Sequence, residues 1–177
     1  VAEYHPAQLV LLGDIVHRAL PIPAIREQLE SLASRLASVT IRWIAGNHDR
    51  RLEALLRECG LLGIRLESEL ALAPHLLLHG DEPDRSAAAR YVARLKPPGR
   101  LIMGHEHPAI RVHDRITTSV KCPCFLAASR ILILPAFSSW AAGSNIRTAQ
   151  FLSAFARNAL FSHAYAILGG RILPIPL

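Results

Sequence analysis

Aromatic residues make up only 6% of this 177-residue chain, and Met103 is its single methionine. So thin a supply argues against a platform that stacks the bases of single-stranded nucleic acid. Charge is also sparse, 19% of residues against 51% hydrophobic, which is the balance of one compact globular domain over residues 1–177. Even so, no apolar run reaches the length of a membrane span. Residues 122–137 come nearest and are broken by Arg130. No secretory leader is visible. Three cysteines, Cys59, Cys122 and Cys124, cannot pair evenly, and no second Cys pair is present to complete a tetrahedral zinc site. Free thiols and a cytoplasmic location are the expectation, with Cys124 a small buried core residue. Lysine is nearly missing: 18 of the 20 basic residues are Arg, and the net charge is +6. That suits a polyanion such as DNA, and it equally suits a scatter of solvated charge.

What is present alternates in a regular way. Residues 9–12 read as a buried strand, and 24–38 as a helix with Ile25, Leu29, Leu32, Ala33 and Leu36 on one face. Residues 39–45 form the next strand, and 50–59 a short helix with Leu52, Leu55 and Leu56 inward, stopping at Gly60. Such alternation is the mark of parallel βαβ units. Beyond Gly60 strands dominate, at about 64–66, 75–79, 101–103, 110–113 and 130–134, with a helix over 86–95. A further helix is expected over 149–160, then a hairpin over 164–174 turning at Gly169-Gly170. There is no internal repeat, linker or low-complexity stretch.

Four polar motifs follow apolar runs in this order: Gly13-Asp14-Ile15-Val16-His17, Gly46-Asn47-His48-Asp49, His79-Gly80-Asp81 and Gly104-His105-Glu106-His107. Strands that stop at such turns deliver their side chains to one end of a sheet, where ligand sites of open α/β sheets lie. Oxygen and imidazole donors without thiolates suit divalent cations better than a structural zinc.

These motifs resemble those of the calcineurin-like metallophosphoesterases, a family of two-metal phosphoester hydrolases. The stretches around Gly13-Asp14, His79-Gly80-Asp81-Glu82-Pro83, Gly104-His105-Glu106-His107-Pro108, Pro123-Cys124-Phe125 and Ile133-Leu134-Pro135-Ala136-Phe137 are similar to the bacterial DNA-ligase-associated branch, DNA damage response endonucleases. The likeness runs from about Leu9 to Arg171-Ile172-Leu173-Pro174. Residues 137–143 depart from the branch's expected turn. A larger departure is the missing first motif, an Asp-x-His, since residues 1–6 hold His5 but no Asp. The expectation is a domain truncated at its N-terminus, with its first strand absent.

The resemblance implies an α/β fold of two mixed β-sheets packed face to face and flanked by helices, a four-layer αββα arrangement. It implies two divalent metal ions, manganese before magnesium, iron or zinc. Asp14 would bridge both ions, Asn47, His79 and His105 would complete one site, and His107 would serve the other. His48 would protonate the leaving group and Asp49 would orient His48. His17, Arg18 and Arg50 would contact phosphate, with Arg51 beside them. The implied activity is DNA endonuclease or phosphodiesterase action in repair, with DNA as substrate, DNA ligase and helicase as functional partners, and no membrane. Two other readings stand beside it. One is a small-molecule or cyclic-nucleotide phosphodiesterase, separable by salt dependence. The other is a metal-poor interaction scaffold, which would have no use for Asn47, His79, His105 and His107.

Overall fold

A computed structural model describes residues 4–15, 22–61, 64, 66–113, 119–137, 141, 143–148 and 150–177. The chain falls into two compact units, Val1–Leu70 and Ala71–Leu177. No helix among the described residues is long and apolar enough to cross a membrane.

The first unit carries a three-stranded sheet in the order β1 (Gln8–Leu12), β2 (Thr40–Ile44), β3 (Leu66–Glu67). Both pairings are parallel, so the connections must cross over. The helices α1 (Ile22–Arg35) and α2 (Leu52–Glu58) lie on those connections, as the alternation predicts. Ile25 and Leu29 of α1, Trp43 of β2, and Leu52, Leu55 and Leu56 of α2 form one buried cluster. Each such side chain stabilises the unit by about 1.5–3 kcal/mol relative to exposure. Helix α2 stops where Gly60 (φ 73°) takes the left-handed conformation. The Gly60 amide then donates to the Arg57 carbonyl (3.0 Å) and the Leu61 amide to the Leu56 carbonyl (2.9 Å). That pair of bonds is the Schellman termination that a C-terminal glycine permits. Arg42 closes β2 onto β3 through a two-pronged ion pair with Glu67.

The second sheet has nine strands and is mixed. Its main path runs β10 (Ser144–Asn145), β7 (Pro108–His113), β8 (Ser119–Ala128), β9 (Ile131–Ile133), β6 (Leu101–Met103), β5 (His75–Leu78), β4 (Glu69–Leu72). Strand β11 (Phe161–Leu168) pairs with β8 and with the terminal β12 (Arg171–Pro176). The helices are α3 (Arg85–Ala93) and the single turn α4 (Ala154–Arg157). Strands β5, β6 and β9 are parallel, and Leu76, Leu78, Leu101, Met103, Ile131 and Ile133 are buried at alternate positions along them. The β11–β12 turn is formed by Gly169 and Gly170, both at positive φ, as a two-residue hairpin loop requires.

Strands β8 and β4 answer to no sequence expectation, and the last expected helix changes. Strand β8 runs through Pro123, a residue normally excluded from interior strands. It is tolerated because β8 changes partners there. Residues 119–123 pair with β7, and 124–128 pair with β9 and β11. Strand β4 is only four residues long. The helix expected over 149–160 shrinks to α4, and Leu152 and Leu160 are exposed rather than packed. Ser153 is extended and caps α4 by accepting from the Ala156 amide, and Asn158 ends it. The three cysteines are free, with Cys122 and Cys124 buried and burial pushing the Cys124 thiol up to about 12.

Helix α3 begins at Asp84, whose carboxylate accepts from the Ser86 amide (2.9 Å) and from its hydroxyl. The amide first, then the hydroxyl, hold the Asp84 carboxyl below its ordinary value of 3.8. A lowered folded-state value contributes stability above pH 3.8, which is lost as pH falls through that lower value. Asp84→Ala should therefore lower Tm at pH 7, and the gap from the unaltered protein should close as melts are repeated below pH 3.8. Glycine substitutions give a second check. Gly170→Ala adds only left-handed strain, with nothing within 4 Å of a new Cβ, and should cost about 1 kcal/mol in chemical denaturation. Gly80→Ala should cost more, because its Cβ would meet Met103 Cε at 2.5 Å as well.

Candidate metal centre

In the first unit, β1 ends in Gly13 and Asp14, both in the left-handed region (φ 78° and 52°). Aspartate is one of few residues that accept that conformation. Its Oδ1 accepts from the His48 amide (3.1 Å), tying the Gly-Asp turn to the Gly46–Asp49 turn after β2. That second turn is closed from within. The Asp49 amide donates to the Gly46 carbonyl (3.1 Å), and Asp49 Oδ2 accepts from the Gly46 amide (2.9 Å). Asp49 is buried, while Asn47, His48 and Arg50 are exposed. The structure thus gives Asp49 a turn-closing duty that the sequence does not advertise. His17 and Arg18 lie outside the described residues.

In the second unit, parallel pairing sets Leu78 opposite Met103, so β5 and β6 end at the same level. The Gly104 amide donates to the His79 carbonyl (3.0 Å) and carries the ladder one step further. His79, 2% exposed, and the half-buried His105 then meet ring to ring, with His105 Nδ1 3.2 Å from His79 Nε2. The rings are edge-on, with 78° between their planes.

His105 and His107 both have positive φ (65° and 47°). Alternation along an extended segment, the geometry the His-x-His spacing suggests, is therefore not what aims them. Strand β6 stops at Met103, and the Glu106 amide donates back to the Gly104 carbonyl (2.8 Å), forming a tight turn. The His107 carbonyl is held by the Ser144 amide (2.8 Å).

Glu106, to which the sequence reading gives no role, is only 4% exposed. Its Oε1 accepts from the Ser153 amide (2.6 Å) and its Oε2 from the Leu152 amide (3.0 Å). Nothing in the sequence around it signals that burial. Asp81 is exposed. The bonds that fix its loop come from the Ala154 amide to the Glu82 carbonyl (2.9 Å) and from Arg157 to the Pro83 carbonyl (3.0 Å). Of the remaining histidines, His5, His113 and His163 are exposed, and His75 Nδ1 accepts from the Arg100 amide.

The His79–His105 pair can be tested against a cation by simple geometry. Two nitrogens each about 2.1 Å from one ion lie about 3.0 Å apart at an octahedral angle and about 3.4 Å apart at a tetrahedral one. The observed 3.2 Å falls between them, so the pair fits a shared divalent ion. Without an ion, the same separation lets the two rings share a proton.

The calcineurin-like phosphoesterase family model matches residues 1–73. Among curated proteins, none matches the chain. Among solved structures, the nuclease MPE of Pseudomonas putida is similar with a TM-score of 0.63 and 25% identity, over 96% of this chain and 70% of that one. The family match ends before His79, and the fold match extends across the remaining motifs. A mixed α/β fold with two sheets and few helices is common ground for both findings. The first 73 residues are thus similar to the calcineurin-like phosphoesterases and the fold to that of a nuclease, and together the two findings support metal-dependent phosphoester hydrolysis.

Proposed function

We propose that the protein is a two-metal phosphodiesterase that cuts DNA, an endonuclease acting beside a DNA ligase and a helicase in repair. The observation that supports it most is the His79–His105 nitrogen pair at 3.2 Å, part-buried at the ends of two paired strands. A hydrolase of this fold needs such a pair, and a scaffold does not. The likeness to a nuclease gives DNA precedence over a small phosphodiester.

In this reading Asp14, Asn47, His79 and His105 serve one cation, Asp14 is shared with a second, and His107 serves that second one. Bound divalent ions, manganese first, supply Lewis acidity and an activated water for in-line attack on phosphorus. The chain's own residues do the rest. Asn47 offers a neutral carbonyl oxygen, which leaves the site positive enough to attract a phosphodiester. His48, exposed on its turn, donates a proton to the departing oxygen. Asp49 keeps the Gly46–Asp49 turn closed through the Gly46 amide and thereby orients His48. Arg50, with Arg51, His17 and Arg18, neutralises backbone phosphates.

Chelator treatment should abolish hydrolysis of both DNA and bis(p-nitrophenyl) phosphate, and Mn2+ should restore it. His79→Ala should remove metal and activity together. His48→Ala should keep its metal and lose about 10²–10⁴-fold in turnover, the usual worth of a general acid. Loss of metal on His48→Ala would contradict its role. DNA cleavage should fall steeply with added salt while hydrolysis of the small diester stays nearly level. Equal salt sensitivity would transfer the proposal to small-molecule diesters.

A further inference from the structure

The segment Phe151–Arg157 hydrogen-bonds to both histidine-bearing loops of the second unit, through backbone amides and the Arg157 side chain. Toward the loop after β6, the Leu152 and Ser153 amides donate to the two oxygens of Glu106. Toward the loop after β5, the Ala154 amide donates to the Glu82 carbonyl, and Arg157 Nη2 donates to the Pro83 carbonyl. Arg157 Nη1 also holds the Leu152 carbonyl, so the segment is braced against itself. A buried carboxylate is costly unless its oxygens are bonded. Glu106 meets that condition with two amides, at 2.6 and 3.0 Å.

We propose that Glu106 is a positioning residue. Its carboxylate, clamped by residues 152 and 153, fixes the left-handed His105-Glu106-His107 turn, and Arg157 fixes the His79 loop to the same clamp. The clamp thereby sets the spacing of His79 Nε2 and His105 Nδ1. This deepens the metal-centre reading and rests on it. A side chain bonded only to backbone can still govern ligand geometry, because the turn it steadies holds two non-glycine residues at positive φ. Such residues are strained and persist only when their surroundings hold them. Without the clamp, the turn relaxes and the two nitrogens separate.

The test is calorimetric titration of Mn2+ into the chelator-treated full chain, below the melting temperature of every variant. Glu106→Gln keeps the shape but turns an amide group on one of the two backbone donors. It should weaken Mn2+ binding about 10–100-fold, the range for partners that orient metal ligands. Arg157→Ala should weaken it less, and the double variant should lose less than the product of the two. Leu173→Ala, partly buried against the same core but remote from the clamp, is the control: it should lower Tm and leave Mn2+ affinity within twofold. Should Glu106→Gln fail to fold, Glu106→Asp, with its charge kept and its reach shortened, carries the same prediction. Folded Glu106 variants that bind Mn2+ within twofold of the unaltered chain would overturn the clamp. So would a loss no larger than that of Leu173→Ala at equal Tm. An unaltered chain that binds no Mn2+ would instead overturn the metal-centre reading itself.

Discussion

The register between β5 and β6 is the constraint on which the second unit's histidines depend. With Leu78 set against Met103 in a parallel pair, both strands leave the sheet at one level, and the Gly104–His79 bond extends that level by a residue. A slip of one position would move His79 by about 3.3 Å along its strand, more than the whole separation of the two ring nitrogens. What prevents the slip is burial. Leu76, Leu78, Leu101 and Met103 belong to the same core, and a one-residue shift of β5 would turn Leu76 and Leu78 out of it. The placing of the two histidines follows from hydrophobic patterning several residues away.

Backbone strain marks the same places. Asp14, His105 and His107 are three of the four described non-glycine residues at positive φ. Each is held by hydrogen bonds from neighbours: Asp14 by the His48 amide, the His105–His107 turn by Gly104, Ser144 and the Glu106 clamp. Strain concentrated on residues whose chemistry suits a cation points to function rather than to accident, because nothing in core packing requires it. It also explains why these residues are supported by hydrogen bonds from backbone amides rather than by apolar contact. A backbone in an unfavourable region is secured by directional bonds, and apolar contact cannot supply direction.

The legible parts of the sequence were those governed by periodicity and punctuation. The βαβ alternation of the first unit, the end of α2 at Gly60 and the hairpin at Gly169-Gly170 each rest on a local rule that nothing distant overrides. The order of the four motifs located the strand ends. The failures share a cause, which is tertiary bonding that outweighs local preference. Phe151, Leu152 and Phe155 fit a helical face, yet Glu106 takes the Leu152 and Ser153 amides, and only one helical turn survives. The sequence reading places no strand over residues 119–128, yet β8 forms there and passes Pro123 where its pairing partners change. His-x-His reads as extended alternation, yet a turn closed by the Glu106 amide serves instead. Glu106 itself was on view in its motif, but a lone glutamate carries no sign of burial until its partners are known.

The central claim is that His79 and His105 jointly hold a divalent cation. Pulsed electron paramagnetic resonance of Mn2+ added to the chelator-treated protein tests it directly, because imidazole nitrogens bound to Mn2+ modulate the electron spin echo. The account predicts modulation from at least two directly bound nitrogens, reduced stepwise in His79→Ala and His105→Ala. Bound Mn2+ with no nitrogen modulation, or modulation unchanged in both variants, would contradict it.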